Sequence, residues 1–293
     1  MTRHRRLIAV AGVAALFLAV ALVAREREMP SHETQPKLET YVRSPVLALQ
    51  YGSGQGQIGR TEGAADELPL GPESFALHGA NVVILDTVNE RVKEFTTTGA
   101  VVRDVLVGRG TDLVATRDGN LLVADPLSQD VVKVSSATVE RIHVGQTVES
   151  LRALPTVASS SRARTEAAPL ADIVPSRYDT QFVDDHAGIV LDAQTGQSFS
   201  VRTNERLGAL NPLGVDDRGN IYVIVEELLP THVPDVRRTV RKYSPDGVLR
   251  AIVTIPIDNN TFPARDLIVD GSGAVYHLQP RAEQVLVEKW ETR

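Results

Sequence analysis

The strongest constraint on the fold is a pattern of short apolar runs and tight turns between Gly71 and Gly99. Three runs, Phe75–Leu77, Val82–Leu85 and Val92–Phe95, contain Val, Ile, Leu and Phe, and polar residues with Gly or Asn separate them. Runs of this length, bounded by turn residues, are typical of β-strands joined as hairpins. The stretch therefore predicts consecutive antiparallel strands.

The same order of an apolar run, a turn containing Gly, and a second apolar run returns further along the chain. A third run follows each pair, and most units continue to a fourth run. Each unit predicts a four-stranded antiparallel meander, which cannot bury both of its faces alone. Radial stacking of such sheets buries both faces, so the predicted fold is an all-β β-propeller. The later second runs are Leu121–Asp125, Ile189–Asp192, Ile221–Val225 and Val275–Leu278.

The first unit also carries a set of motif residues, namely Gly71, Pro72, Asn81, Asp86, Asn89, Arg91, Phe95 and Gly99. With these residues it resembles an NHL-type repeat of six-bladed β-propellers. The resemblance implies that Asp86, Asn89 and Arg91 define the blade and have a structural role. Asp and Asn side chains commonly close turns on their own backbone, which agrees with that role. Arg91 begins a strand and can pair with Asp86 across the hairpin.

The repeats leave two values for the number of blades. Five units are recognisable, whereas residues 148–178 are weakly patterned and form either a degenerate blade or a long excursion of the third blade. Residues 41–49 predict a strand near the N-terminus, so one blade is expected to combine that strand with strands from the C-terminus. We favour six blades and keep five as the alternative.

The N-terminus predicts a targeting segment. Residues 1–6 hold three Arg, and residues 7–24 contain no charged side chain. A basic region before an apolar stretch is typical of secretory signals, and this stretch reaches the lower length limit of a membrane-spanning helix. We expect a hydrophobic helix within residues 1–24, a polar linker at 25–40 and the propeller at 41–293. The helix is expected to stay as a signal anchor with the propeller on the extracytoplasmic side, periplasmic or extracellular; the alternative is a cleaved signal and secretion.

Composition excludes several function classes. The net charge is −6 at pH 7, and an acidic domain repels phosphate backbones, so nucleic acid is not an expected partner. The chain has no Cys, which excludes disulfides, thiolate catalysis and cysteine metal sites. We expect a monomer that contacts the membrane only through its N-terminal segment, and whose ligand is a protein, a peptide or a small molecule.

Polar residues recur where the predicted inner strands begin. Inner strands line the axis of a propeller, so their first residues are expected to converge at one mouth of the central channel. Carboxylate and amide oxygens are the ligands that Ca²⁺ prefers, and Ca²⁺-dependent lactonases of the gluconolactonase type, also six-bladed, carry a comparable set. Alternatively, these residues cap loops and line a water-filled pore, and Arg265 neutralises the acids. The candidate metal ligands are Glu73, Asp112, Asp179, Asn211 and Asp266.

A second candidate surface is an insertion at residues 226–238. An extended loop that carries Leu228 and Leu229 away from a rigid scaffold would offer a contact surface; the alternative is a disordered hairpin tip. No combination typical of a catalytic site is recognised, so no catalytic residue is assigned. We expect a membrane-tethered binding or scaffolding module, with Arg265 and the two leucines as candidate binding residues. The alternative is a Ca²⁺-dependent hydrolase or lactonase that uses the acidic mouth.

Overall fold

The computed structural model describes residues 37–63, 69–116, 118–124, 130–136, 138–143, 177–231 and 235–293. The regular secondary structure of these residues is entirely β. The strands are β1 (Tyr41–Gln50), β2 (Ser74–His78), β3 (Asn81–Asp86), β4 (Arg91–Phe95), β5 (Val101–Leu106), β6 (Asp112–Ala115), β7 (Leu121–Ala124), β8 (Asp130–Val134), β9 (Val139–His143), β10 (Tyr178–Asp184), β11 (Ala187–Asp192), β12 (Ser198–Arg202), β13 (Arg206–Val215), β14 (Ile221–Leu229), β15 (Asp235–Tyr243), β16 (Leu249–Ile255), β17 (Leu267–Val269), β18 (Val275–Pro280) and β19 (Gln284–Thr292).

The strands form antiparallel meanders that are arranged as the blades of a β-propeller. Blade one is β2–β5, blade two is β6–β9, blade three is β10–β12 and blade four is β13–β16, while the closing blade has the order β1-β19-β18-β17. The first strand of one blade contacts the first strand of the next, as seen for β2 with β6, β10 with β13, and β13 with β17. Ser74 at the start of β2 also forms a parallel bridge with Arg265, just before β17. The strands β2, β6, β10, β13 and β17 are therefore the inner strands.

The closing blade joins the two ends of the propeller, which confirms the predicted ring closure. Strand β1 pairs antiparallel with β19, from Tyr41 opposite Thr292 to Gln50 opposite Gln284. Strands that are far apart in the sequence therefore share one sheet.

The described residues form five sheets, of which four have four strands and blade three has three. Residues 148–176, almost all of the weakly patterned segment, lie outside the described ranges. The choice between six blades and five stays a prediction.

Neighbouring blades pack face to face through apolar side chains, and the central strands are covered on both faces. In β3, every residue from Val82 to Asp86 is buried. Ile84 packs in a cluster with Leu278 of the closing blade, whereas Leu85 packs in a cluster with Leu113 of blade two. This two-sided burial explains why the run is apolar at consecutive positions and does not alternate.

Blade four is longer than the sequence suggested, because residues 226–238 continue its strands. This corrects the expected loop. Strands β14 and β15 stay in register from Ile221 opposite Tyr243 to Leu229 opposite Asp235. Opposite charges face each other across this hairpin, since Glu226 and Glu227 lie opposite Arg238 and Arg237. Such pairs stabilise an antiparallel ladder and allow the strands to extend. Residues 232–234, which connect the two strands in the sequence, lie outside the described residues.

The predicted hydrophobic helix at 1–24 and most of the linker also lie outside the described residues. Within the described ranges, no helix has the length and apolar character needed to cross a bilayer. Residues Leu38–Arg293 form one compact unit, and the backbone N–H of Glu39 donates to the carbonyl of Arg250 at 2.7 Å. The last residues of the predicted linker therefore contact the propeller.

Candidate functional site

Two of the motif residues of blade one, Asp86 and Asn89, belong to one hydrogen-bonded network. Asp86 is fully buried; its Oδ1 accepts the backbone N–H groups of Gly59 at 2.9 Å and Asn89 at 3.2 Å, and its Oδ2 accepts the Asn89 side chain at 2.8 Å. The buried ammonium of Lys93 lies 2.9 Å from Asp86 Oδ2 and donates to two backbone carbonyls within residues 51–60. The network fixes the loop after β1 against blade one, which is a structural role.

Arg91 has a different partner from the predicted one. It lies opposite Asp86 in the ladder between β3 and β4, but its guanidinium binds Asp104 of β5. Lys93, which the sequence pattern did not single out, binds Asp86 instead. In the motif, the buried carboxylate of Asp86 is therefore paired with Lys93, whereas Arg91 links β4 to the outer strand β5 through its ion pair with Asp104.

A cavity of about 410 Å³ lies beside the inner strands of blade two, blade four and the closing blade. We call it the mouth cavity. Its polar lining includes Asp112, Asn211 and Asp266, which are three of the five predicted metal ligands, and Arg265. Its apolar lining includes Pro212, Leu213, Ile224 and Leu267.

The first ion pair of the mouth cavity joins blade two to the closing blade. Arg265 Nη2 donates to Asp112 Oδ2 at 2.7 Å, and Arg265 Nη1 donates to the carbonyl of Leu113 at 3.0 Å. Asp112 Oδ1 accepts the N–H of Leu113 at 2.9 Å and the hydroxyl of Ser74 at 3.3 Å. Protein donors therefore contact both oxygens of this carboxylate.

The second ion pair joins blade four to the closing blade. Both terminal nitrogens of Arg238 donate hydrogen bonds to the carboxylate of Asp266, with Nη2 donating to Oδ1 at 2.9 Å. The Nε2 atom of His277, which is fully buried, lies 3.4 Å from Asp266 Oδ2. Burial alone would raise the pKa of Asp266, but the contacts with His277 and Arg238 outweigh it and hold the pKa below its usual value. Asp266 is therefore ionised at neutral pH.

Together, the mouth cavity is lined by two arginines and two aspartates, so its formal charge is balanced. Arginine side chains neutralise the acids, as in the alternative considered from the sequence: Arg265 pairs with Asp112, and Arg238 pairs with Asp266. In the described part of the chain, no group of three or more His, Asp or Glu side chains is placed to hold a metal ion. The calcium site stays a prediction, and two of its proposed ligands are engaged by arginine.

The two remaining predicted ligands are not among the residues that line the mouth cavity. Asp179 is exposed on β10, opposite Leu191 of β11. Glu73 is half-buried next to the segment before β17, and its backbone carbonyl accepts the N–H of Arg265 at 3.0 Å. Burial raises the pKa of the Glu73 carboxyl, partly offset by a hydrogen bond from the backbone of Ala264.

Sequence reasoning missed Arg238, because it placed residues 226–238 in a loop. A usable signal was present: two consecutive glutamates, Glu226 and Glu227, precede two consecutive arginines, Arg237 and Arg238. In a hairpin these charges pair across the strands, which predicts extended strands and places Arg238 on one face.

No protein-family model matches the sequence, and no curated protein matches it. Among solved structures, a streptogramin B lyase is similar with 7% sequence identity and a TM-score of 0.36, over 86% of this chain and 98% of that chain. A DUF4221-family member from Bacteroides vulgatus is similar with 10% identity and a TM-score of 0.39, over 87% and 97% of the two chains. A putative gluconolactonase is similar with 11% identity and a TM-score of 0.33, over 85% and 94%.

Proposed function

We propose that this chain is a binding module whose ligand occupies the mouth cavity. The supporting observation is that two arginine–aspartate pairs line one cavity of about 410 Å³. Ligand pockets commonly combine apolar walls with a small number of fixed polar groups. The mouth cavity has both, since Leu213, Ile224 and Leu267 line it together with these pairs.

The proposal has two further parts, which concern the type of propeller and its location. The motif residues of blade one support an NHL-type, six-bladed propeller. The basic flank and the apolar segment at residues 1–24 support a tether that holds the propeller on the extracytoplasmic side of a membrane. Fractionation of cells that express the full chain tests the tether. Recovery of a soluble protein that begins near Arg25 would contradict it and support secretion.

Binding at the mouth cavity is tested by thermal unfolding of the full chain in detergent micelles. The probes are millimolar carboxylates, phosphates, amines, zwitterions and neutral polyols, with and without CaCl₂. A ligand at about 100 times its Kd stabilises the folded state by about 2.7 kcal/mol, which raises the melting temperature measurably. We expect such a rise for the wild type.

Two asparagine variants locate the site. Asn211→Ala removes an exposed amide that lines the cavity and should abolish the rise. Asn204→Ala removes an exposed amide in the turn before β13 and should preserve it. A rise that survives Asn211→Ala, or no rise with any probe, would contradict binding at the mouth cavity.

A Ca²⁺-dependent hydrolase or lactonase is the second candidate, because Asp112, Asn211 and Asp266 share one cavity. It predicts a Ca²⁺-dependent rise in melting temperature that Asp266→Asn removes, together with hydrolysis of an ester or lactone by the wild type. If Ca²⁺ leaves the melting temperature unchanged, this candidate loses its basis.

A further inference from the structure

The strands of blade four extend past the mouth cavity and form a wall beside it. Strands β2 and β6 begin at Ser74 and Asp112, next to the cavity. In contrast, Asn211 lies in the middle of β13, opposite Ile224 of β14. Strand β14 continues from Ile224 to Leu229, so Leu228 lies about 13 Å beyond Ile224 at about 3.3 Å per residue.

The face of this wall that continues from the cavity is fixed by the alternation of side chains. Ile224 lines the cavity, so Glu226 and Leu228 share its face, because side chains two residues apart point to the same side of a strand. Arg238 lies opposite Glu226 and lines the same cavity, which agrees with this assignment. Val236 lies opposite Leu228.

The other face of the wall packs against blade three. Val223 and Val225 belong to a buried cluster with Tyr178 and Val190 of blade three. Leu229 lies on this second face, whereas Leu228 lies on the cavity face and is 38% exposed. The two adjacent leucines therefore differ in what they can contact.

The charges of the cavity restrict the ligand further. Arg265 is paired with Asp112, and Arg238 is paired with both Asp266 and Glu226. A ligand with only one sign of charge would therefore meet attractive and repulsive groups at each arginine. A ligand that carries both signs can place its cationic group on the aspartate of one pair and its anionic group on the arginine of the other.

We propose that the ligand is a short peptide with free amino and carboxyl ends and an apolar side chain. Its amino end contacts the aspartate of one pair and its carboxyl end contacts the arginine of the other, in the pairs Asp112–Arg265 and Asp266–Arg238. Its apolar side chain packs on Leu228 and Val236. Val236 lies two positions beyond Arg238 along the hairpin, about 7 Å at about 3.3 Å per residue, with Leu228 opposite it. A long aromatic side chain such as that of Phe is needed to cover this distance. The proposal rests on the proposed function, because it uses the same cavity.

The test is a titration of the full chain in detergent with four forms of one tripeptide that differ in the charges at their ends. Isothermal titration calorimetry measures the binding. The probes are Ala-Phe-Ala with free ends, with an acetylated amino end, with an amidated carboxyl end, and with both ends capped. We expect the free-ended peptide to bind most tightly and each cap to weaken binding by about tenfold, a loss of about 1.4 kcal/mol. Ala-Ala-Ala with free ends should bind more weakly than Ala-Phe-Ala.

Two variants at adjacent positions distinguish a specific contact between the wall and the peptide from a general effect of the substitution on folding or affinity. Leu228→Ser should reduce the affinity for Ala-Phe-Ala to that for Ala-Ala-Ala, whereas Leu229→Ser should leave the ratio of the two affinities unchanged. Equal effects of the two variants would overturn the role of the wall, and equal binding of the capped and free peptides would overturn the role of the charges.

The outcomes also distinguish this proposal from the one on which it rests. If no peptide binds but a small molecule raises the melting temperature in an Asn211-dependent manner, the peptide proposal is wrong and binding at the mouth cavity stands. If Ala-Phe-Ala binds equally to the wild type and to Asn211→Ala, both proposals are wrong.

Discussion

Two ion pairs of this propeller share the same chemistry but differ in their surroundings. The pair between Lys93 and Asp86 in blade one is completely enclosed, since both side chains have 0% exposure. The pair between Arg238 and Asp266 lines the mouth cavity, and its side chains are 17% and 9% exposed. One pair is closed to any ligand, and the other borders a space that a ligand can enter.

The difference separates the residues that define the blade from the residues that are candidates for binding a ligand. The Lys93 ammonium has an acceptor for each of its hydrogens, all within the protein, so this pair can only position the loop after β1. Arg238 and Asp266 join two blades and also face the cavity, so a ligand can compete for either partner. The motif residue Asp86 therefore marks the blade, and the mouth pairs, which belong to no motif, are the better candidates for binding.

The largest expected effect comes from breaking the enclosed pair. Lys93→Met leaves the buried Asp86 carboxylate without its cation, and such a change typically costs about 3–5 kcal/mol of folding free energy. Urea unfolding measures the loss. The double variant Asp86→Asn with Lys93→Met should recover part of it, because the charge is removed while an oxygen acceptor for Gly59 and Asn89 remains. A loss below about 1 kcal/mol, as for an ordinary surface pair, would contradict the comparison.

A smaller effect is expected at the mouth. Asp266→Asn removes one carboxylate from a pair that water can reach, and we expect a loss of about 1–3 kcal/mol at pH 7. Because the pKa of Asp266 is held below its usual value, the ionised carboxylate contributes stability above about pH 4. This contribution is lost as the pH falls through the folded-state pKa. The difference between wild type and variant in urea unfolding should therefore shrink below about pH 4. A difference that is constant from pH 7 to pH 3 would show that ionisation of Asp266 does not stabilise the fold.

The sequence was sufficient for the fold because each blade repeats the same local pattern. The runs that became β3, β7, β11, β14 and β18 were visible, and the strand at Tyr41–Gln50 pointed to ring closure. The number of blades was not determined by the sequence, since residues 148–178 carry no clear alternation of apolar and polar positions.

Part of the lining of the mouth cavity was predicted from the sequence. Asp112, Asn211, Arg265 and Asp266 share a cavity because inner strands lie around one axis, which the repeat alignment captures. Ion pairing could not be predicted in the same way, because it depends on contacts between blades. Arg238 reaches Asp266 only because β15 extends beside the mouth, and that extension follows from the register of Glu226 with Arg238.

The smallest expected effect concerns Glu73, a predicted ligand that does not line the mouth cavity but accepts a backbone hydrogen bond from Arg265, which does. Burial raises the pKa of Glu73, so the folded state binds its proton more readily than the unfolded state, and ionisation at pH 7 opposes folding. We expect Glu73→Gln to stabilise the protein by about 0.5 kcal/mol at pH 7, as for a partly exposed side chain. This gain should disappear below about pH 4, where the carboxyl is protonated in both states. The matched control is Glu283→Gln, an exposed glutamate, which should leave unfolding unchanged at both pH values. If Glu73→Gln destabilises the protein at pH 7, the Glu73 carboxylate has a stabilising partner, as the Asp112 and Asp266 carboxylates do.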